Sequence, residues 1–202
     1  MRPGGRPFPL RLFPVALLFL LAACQKDPTP PAQQPPLDFN AEIQRGWSLY
    51  RNHQYAEAEA TFRGLVEGFP HESEPLVGRG WCEVETDSLD LAIRLFQTAI
   101  EMEALPDAFA GIAVTASALG RDSLAVAAAH EITDPSYLFI GDPYLGYQRI
   151  VYLRALGEFH LRRWQDCYDS LLILRSWLEI DLDDYDFREQ LMAALESLRG
   201  TG

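Results

Sequence analysis

The chain has 202 residues, of which 48% are hydrophobic and 23% are charged, so it can bury a core. Its 17 basic and 29 acidic residues give a net charge of −12, which argues against nucleic-acid binding, because that binding relies on Lys and Arg at the phosphates. The three Cys are widely spaced and form no CxxC pair, which excludes a disulfide framework and a zinc site of that type.

The N-terminus is predicted to be a secretory signal peptide. Residues 1–11 contain three Arg and no acid, and residues 12–23 are apolar but shorter than the roughly 20 residues that span a bilayer. The apolar run ends in LAAC, at Cys24, and this sequence resembles a bacterial lipobox. The resemblance implies that residues 1–23 are removed and that Cys24 carries fatty acyl chains such as palmitate, which anchor the chain to a membrane. An ordinary signal peptide with a chance Cys is the alternative.

Residues 24–38 are predicted to be a tether. Five Pro and no aromatic residue occur in residues 25–37, a composition that favours polyproline II and offers no core. Loss of residues 1–23 removes three Arg and no acids, so the net charge becomes −15. Gln25 stands where an Asp would resemble the inner-membrane retention signal of enteric bacteria. The resemblance therefore implies an exported protein anchored to the cell envelope, in the outer membrane.

Residues 39–199 contain a repeat with a period of 34 residues. Gly46-Trp47 recurs as Gly80-Trp81, and the same offset relates Ala58 to Ala92, Phe62 to Phe96 and Glu67 to Glu101. Helical periodicity predicts helices over residues 41–52, 55–68, 75–86 and 89–103, with Pro70 and Pro106 closing the two units. A helix pair of this size must stack on a neighbour to bury its apolar face.

Residues 54–70 resemble the second helix of a tetratricopeptide repeat. That family has a small residue at the position of Ala58, an aromatic residue at that of Phe62 and a proline at that of Pro70. The resemblance implies an all-α fold, a right-handed α-solenoid of about 3–4 antiparallel helix pairs with a C-terminal capping helix. The units are predicted at about residues 39–72, 73–106, 107–134 and 143–178, with the capping helix at residues 185–199.

The third and fourth units are the weaker ones. The sequence DSL at residues 122–124 echoes DSL at residues 87–89 at an offset of 35, which places His130 and Glu131 near the aromatic position. Residues 133–142 are predicted to be a loop, and Asp142-Pro143 to begin a helix that ends near residue 161. Its partner helix is predicted over residues 164–178.

A protein-binding groove follows from the family resemblance, since the first helices of such repeats line a concave surface that binds peptides. The resemblance implies groove residues Trp47, Tyr50, Arg51, Val77, Trp81, Val84 and Glu85, with Ile43, Tyr152, Leu156 and Phe159 as further candidates. Trp, Tyr and Arg dominate binding hot spots. Alternatively, Trp47 and Trp81 are buried between helices, or the capping helix or the segment around Phe39 fills the groove.

Motifs of the common catalytic classes are absent, including HExxH, GxSxG, the P-loop and GxGxxG, so no cofactor or small-molecule substrate is expected. The acids within residues 181–186 suit a helix N-terminus, where they complement the helix dipole, and a Ca²⁺ site is the alternative. Cys82 and Cys167 are predicted to be buried small hydrophobes.

The sequence thus predicts a non-enzymatic lipoprotein facing the periplasm or the cell surface, an adaptor or scaffold for another cell-envelope protein. Two alternatives stay open. One is a metal-binding or enzymatic envelope module that uses residues 181–186, and the other is a structural repeat protein that self-associates.

Overall fold

The structure is a computed structural model that describes residues 38–199, so the predicted signal peptide, Cys24 and the tether up to residue 37 lie outside the described residues. The described chain forms nine α-helices: α1 (Phe39–Arg51), α2 (Tyr55–Gly68), α3 (Glu74–Glu85), α4 (Leu89–Met102), α5 (Pro106–Ala118), α6 (Asp122–His130), α7 (Tyr147–His160), α8 (Trp164–Leu174) and α9 (Phe187–Arg199). None of these helices is long and apolar enough to cross a membrane.

The first eight helices form four pairs that stack in chain order, α1 with α2, α3 with α4, α5 with α6 and α7 with α8. Tight turns join the members of each pair, which makes them antiparallel. Each first helix also packs against the first helix of the next pair, whereas α2, α4, α6 and α8 do not pack against one another. The stack therefore curves towards its first helices, which form the concave face. This arrangement confirms the predicted helical solenoid.

One residue in the left-handed backbone region marks the turn of each pair: His53, Asp87, Gly120 and Arg162, with φ between 59° and 67°. The fifth residue after each turn is a small side chain that is at most 1% exposed (Ala58, Ala92, Ala125 and Cys167). The ninth residue is also at most 1% exposed (Phe62, Phe96, Ala129 and Leu171). The two weak units of the sequence therefore pack in the same register as the two strong ones.

The register predicted for the third unit is wrong by two residues. The offset of 35 places His130 and Glu131 near the aromatic position, but both are exposed in the structure. Ala129 occupies that position, because Gly120 turns the chain only 33 residues after Asp87. With a methyl group in place of a ring, this unit packs through close approach of small side chains.

Gly46 and Gly80 sit where an aromatic ring of the second helix crosses the first helix. A Cβ atom on Gly46 would lie 2.5 Å from Cε1 of Phe62, and one on Gly80 would lie 2.5 Å from Cε1 of Phe96. Side chains cannot approach so closely in a packed interior. The glycine and the ring are therefore one packing unit that repeats with the 34-residue period.

The start of α7 differs from the prediction. Asp142-Pro143 does not begin the helix, which starts at Tyr147 with Gly146 in extended conformation before it. Instead, the Asp142 carboxylate accepts a hydrogen bond of 2.9 Å from the backbone N–H of Tyr144, two residues on. This local bond favours a turn over a helix. The fourth unit begins at residue 147 and not at residue 143.

The C-terminal end is covered by α9, which packs against α7 and α8 and buries Leu191, Ala194 and Leu195. α8 ends at Leu174, four residues earlier than predicted, and α9 begins at Phe187 instead of residue 185. Cys82 and Cys167 are free and buried, as predicted.

Candidate protein-binding groove

The concave face carries three side-chain positions from each first helix, ten, six and three residues before its turn. These are Ile43, Trp47 and Tyr50 on α1, Val77, Trp81 and Val84 on α3, Ala110, Val114 and Ser117 on α5, and Tyr152, Leu156 and Phe159 on α7. Aromatic side chains occupy these positions on α1, α3 and α7, while α5 contributes small ones. The concave face is therefore least bulky at α5.

A hairpin formed by residues 137–147, which we call the plug hairpin, fills the N-terminal half. Phe139 is only 1% exposed and inserts its ring among three aromatic side chains. Its ring centroid lies 4.2 Å from that of Trp81 in a stacked arrangement, and 5.7 Å from that of Trp47 and 6.1 Å from that of Tyr50 in edge-to-face arrangements. Such geometries stabilise aromatic pairs beyond the area that they bury.

Backbone hydrogen bonds hold the plug hairpin together. The Phe139 N–H donates to the carbonyl oxygen of Leu145 at 2.9 Å, and the Tyr147 N–H donates to that of Tyr137 at 3.0 Å. The hairpin is tied to the solenoid by the Tyr137 hydroxyl, which donates to Oδ1 of Asp107 at 2.9 Å. At its tip, Gly141 comes so close that a Cβ atom would lie 2.8 Å from Cε1 of Tyr50.

The polar atoms of the aromatic side chains around Phe139 have partners within the molecule. Nε1 of Trp47 donates to Oε1 of Glu74 at 3.0 Å, and Nε1 of Trp81 donates to the backbone oxygen of Asp107 at 3.2 Å. The Tyr50 hydroxyl donates to Oε1 of Glu85 at 2.9 Å. Burial, followed by the charge of Glu85, raises the pKa of Tyr50 above its usual range, so this hydroxyl keeps its proton. These bonds fix the rings in the filled arrangement.

The residues predicted to line the groove thus fall into two groups. Trp47, Tyr50, Val77 and Trp81 are buried, whereas Val84 is partly buried and Arg51 and Glu85 are exposed. The N-terminal half of the groove is therefore filled, but by the plug hairpin and not by either segment that the sequence analysis named. Phe39 packs on Phe69 instead, with ring centroids 5.1 Å apart, and the capping helix α9 lines the open C-terminal half.

Phe139 is one of the groove residues that the sequence analysis missed, and Met192 is another. Phe139 lies in residues 133–142, for which the sequence predicts only a loop. The available signal is composition, because the four consecutive residues YLFI (137–140) are apolar or aromatic within that loop. Loops that lie on the surface are usually polar.

The C-terminal half of the concave face stays open as a cavity of about 810 Å³, which we call the groove cavity. It lies between the plug hairpin, α3, α5, α7 and α9. Its apolar lining includes Val84, Val114, Leu156 and Met192, and its rim includes Glu85. Arg149 supplies a positive charge to the lining, and His160 supplies an imidazole. The volume and the mostly apolar lining are typical of sites that take side chains or small ligands.

A buried polar cluster supports α7 behind the groove. Glu158 is 1% exposed, and its Oε2 accepts a hydrogen bond of 2.6 Å from the Ser170 hydroxyl. Nε2 of His130 lies 3.3 Å from Oε1 of Glu158, and Nε of Arg154 lies 3.9 Å from the same oxygen. Burial raises the pKa of Glu158, although the Ser170 hydrogen bond and the charges of Arg154 and His130 act in the opposite direction.

The acids of residues 181–186 precede α9, and two of them accept local hydrogen bonds. Oδ1 of Asp181 accepts from the backbone N–H of Asp183 at 3.0 Å, and Oδ1 of Asp186 accepts from Nε2 of Gln190 at 2.7 Å. Within residues 38–199, no group of three or more His, Cys, Asp or Glu side chains is placed to hold a metal ion.

Comparison with known proteins identifies the fold. No protein-family model and no curated protein matches the chain. Among solved structures, a tetratricopeptide repeat protein from Parabacteroides merdae is 16% identical, with a TM-score of 0.56 over 81% of this chain and 60% of that one. MamA MSR-1 is 15% identical, with a TM-score of 0.57 over 79% of this chain and 86% of that one. A thermophilic TPR protein of Thermus thermophilus is 16% identical, with a TM-score of 0.54 over 80% of this chain and 84% of that one.

These similarities show that the described chain has the tetratricopeptide-repeat fold. The chain spans 60% of the length of the Parabacteroides protein, and the identities are low, so the likeness concerns the fold alone.

Proposed function

We propose that this protein is a scaffold that binds a segment of another protein in the groove cavity and catalyses no reaction. The observation that carries the proposal is that about 810 Å³ of largely apolar space remains open on the concave face after the plug hairpin has filled the other half. Exposed apolar concavities of this kind mark binding sites in soluble domains. Leu156 on α7 and Met192 on α9 would contact the bound segment.

We further propose that the scaffold works at the cell envelope. Lipid attached to Cys24 would hold the domain at a membrane. Because Gln25 stands where the inner-membrane retention signal of enteric bacteria has an Asp, that membrane would be the outer membrane. The Pro-rich tether would then set the distance at which the solenoid meets its partner, at about 3.1 Å per residue. The partner in this proposal is another envelope protein.

The test compares two double variants of the full chain. Leu156→Ala/Met192→Ala removes apolar side chains from the groove cavity. The control, Leu119→Ala/Ile173→Ala, removes two apolar side chains that lie outside the groove cavity and are 37% and 51% exposed. Proteins captured from detergent-solubilised envelopes are quantified by mass spectrometry. A partner recovered with the wild type and the control, but lost with the cavity variant, supports the proposal. Equal recovery with all three would contradict it, provided that melting curves show folded variants.

Sedimentation of the same preparations distinguishes self-association. If the only partner lost from the cavity variant is a second copy of the chain, the groove cavity is a homotypic interface, and the scaffold proposal is wrong.

A further inference from the structure

A second cavity, of about 480 Å³, lies on the other side of the plug hairpin, where α3 and α5 begin. One wall is apolar and includes Val77, Leu105 and Leu138. Leu138 belongs to the plug hairpin and is 58% exposed, and Ile140 beside it is 45% exposed. The cavity therefore opens onto an apolar surface that no described part of the chain covers.

Four carboxylates also line the cavity: Glu72, Glu74, Glu103 and Asp107. No Lys, Arg or His lies among the residues that line the cavity, and none of the four carboxylates takes part in an ion pair within residues 38–199. The cavity lining thus combines apolar side chains with uncompensated negative charge.

Helix capping explains only part of this charge. Glu74 and Asp107 lie in the first turns of α3 and α5, where a negative charge complements the helix dipole. Glu103, in contrast, is the C-cap of α4, where the dipole disfavours a negative charge, and Glu72 lies outside any helix. Capping therefore explains neither the charge of Glu72 nor that of Glu103.

Three of the carboxylates are held in place by hydrogen bonds. Glu74 accepts from Trp47, Glu103 accepts from the Ser73 hydroxyl at 2.9 Å, and Asp107 accepts from Tyr137. A carboxylate has further lone pairs for a second donor. Burial raises the pKa of Asp107, and the charge of Glu74 adds to this effect, while the hydrogen bond from Tyr137 opposes it. A cation placed in the cavity would relieve the repulsion between the two acids.

We propose that this cavity binds a Lys or Arg side chain of a protein segment whose neighbouring apolar residue packs on Leu138. Charge complementarity selects a cationic group, since four carboxylates and no base face the space. The apolar wall selects a peptide over a free polyamine, because a polyamine has no apolar side chain to cover Leu138. This site is separate from the groove cavity, so the proposal does not depend on the proposed scaffold function.

The probe is a fluorescent heptapeptide of alternating Leu and Arg, titrated against the full chain in non-ionic detergent at physiological salt. Glu72→Gln/Glu103→Gln removes the two charges that capping does not explain, and Gln at position 103 can still accept the Ser73 hydrogen bond. Glu57→Gln/Glu67→Gln on α2 is the matched control, since it removes two exposed carboxylates at a distance from the cavity. We expect the first variant to weaken peptide binding about tenfold and the control to weaken it less than about twofold.

A second readout locates the bound peptide. The chain has four Trp, so the indole N–H signals in a ¹⁵N spectrum are few, and Trp47 Nε1 donates directly to Glu74. We expect the Trp47 indole signal to shift on titration. Equal weakening in both double variants would show that the peptide senses only the overall negative charge, and an unshifted Trp47 signal would place it elsewhere. Spermidine that binds as tightly as the peptide would overturn the assignment to a protein segment.

Discussion

The Phe139 ring stacks on the Trp81 indole with 4.2 Å between centroids and 26° between planes. The two residues are 58 positions apart in sequence, one in a loop and the other on the inner face of the solenoid. This contact closes the N-terminal half of the concave face and leaves the C-terminal half as the place where a partner is expected to bind.

Phe139→Ala is expected to lower the free energy of unfolding by about 3 kcal/mol, because it leaves a cavity among Trp47, Tyr50 and Trp81. Urea unfolding followed by Trp fluorescence measures the loss. Ile140→Ala, at the adjacent exposed position, is the control and is expected to cost less than about 1 kcal/mol. If the two variants lose the same stability, the plug hairpin does not hold Phe139 in the groove.

Gly80→Ala is expected to destabilise the protein by about 1–3 kcal/mol, because the added Cβ would meet the Phe96 ring. Gly64→Ala, in α2, has no atom within 4 Å of the added Cβ and is expected to raise stability by up to about 1 kcal/mol. Thermal unfolding of both variants gives the comparison. A stabilising Gly80→Ala would mean that the ring of the second helix does not cross the first helix at this glycine.

The stability difference between wild type and Glu158→Gln is expected to depend on pH. Burial raises the pKa of Glu158 in the folded chain above its value in the unfolded chain. The contribution of Glu158 to the free energy of unfolding is therefore fully present below the unfolded pKa and is lost as the pH rises through the folded pKa. Wild type should therefore lose stability relative to the variant between about pH 4, near the usual pKa of an unfolded Glu, and about pH 8. Urea titrations at both pH values measure this.

The same comparison in a His130→Gln background removes the imidazole that lies 3.3 Å from the Glu158 carboxylate. The pH-dependent difference should keep its sign there. A difference that disappears would assign the effect to His130 and not to Glu158.

Cys24→Ala is expected to abolish incorporation of labelled palmitate and to release the chain from the membrane fraction, since lipid attached to Cys24 is the proposed anchor. Cys82→Ala is the matched control, because Cys82 is buried in α3 and unavailable for acylation. Metabolic labelling followed by fractionation measures both effects. Label that persists in Cys24→Ala would rule out the lipobox interpretation.

The helix pairs were predictable because their signals are local or periodic. Gly46 and Phe62, and the pair Gly80 and Phe96, recur at one offset, and each pair meets within a single helix-turn-helix. Helix ends were harder to predict from the sequence where a turn competes with a helix. This is the case at Asp142, whose carboxylate favours the turn of the plug hairpin. In the third unit the recurring aromatic ring is missing, so the sequence offered no marker for Ala129.

What the sequence alone determined is the repeating fold, since its periodicity depends on contacts between residues close along the chain. The candidate groove was different. Trp47 and Trp81 suit an open binding surface and a filled one equally well as residue types, so their identity could not decide between the two. Only the tertiary structure decided it, because the long connection between α6 and α7 folds back over α1 and α3 and places Phe139 between the two indoles.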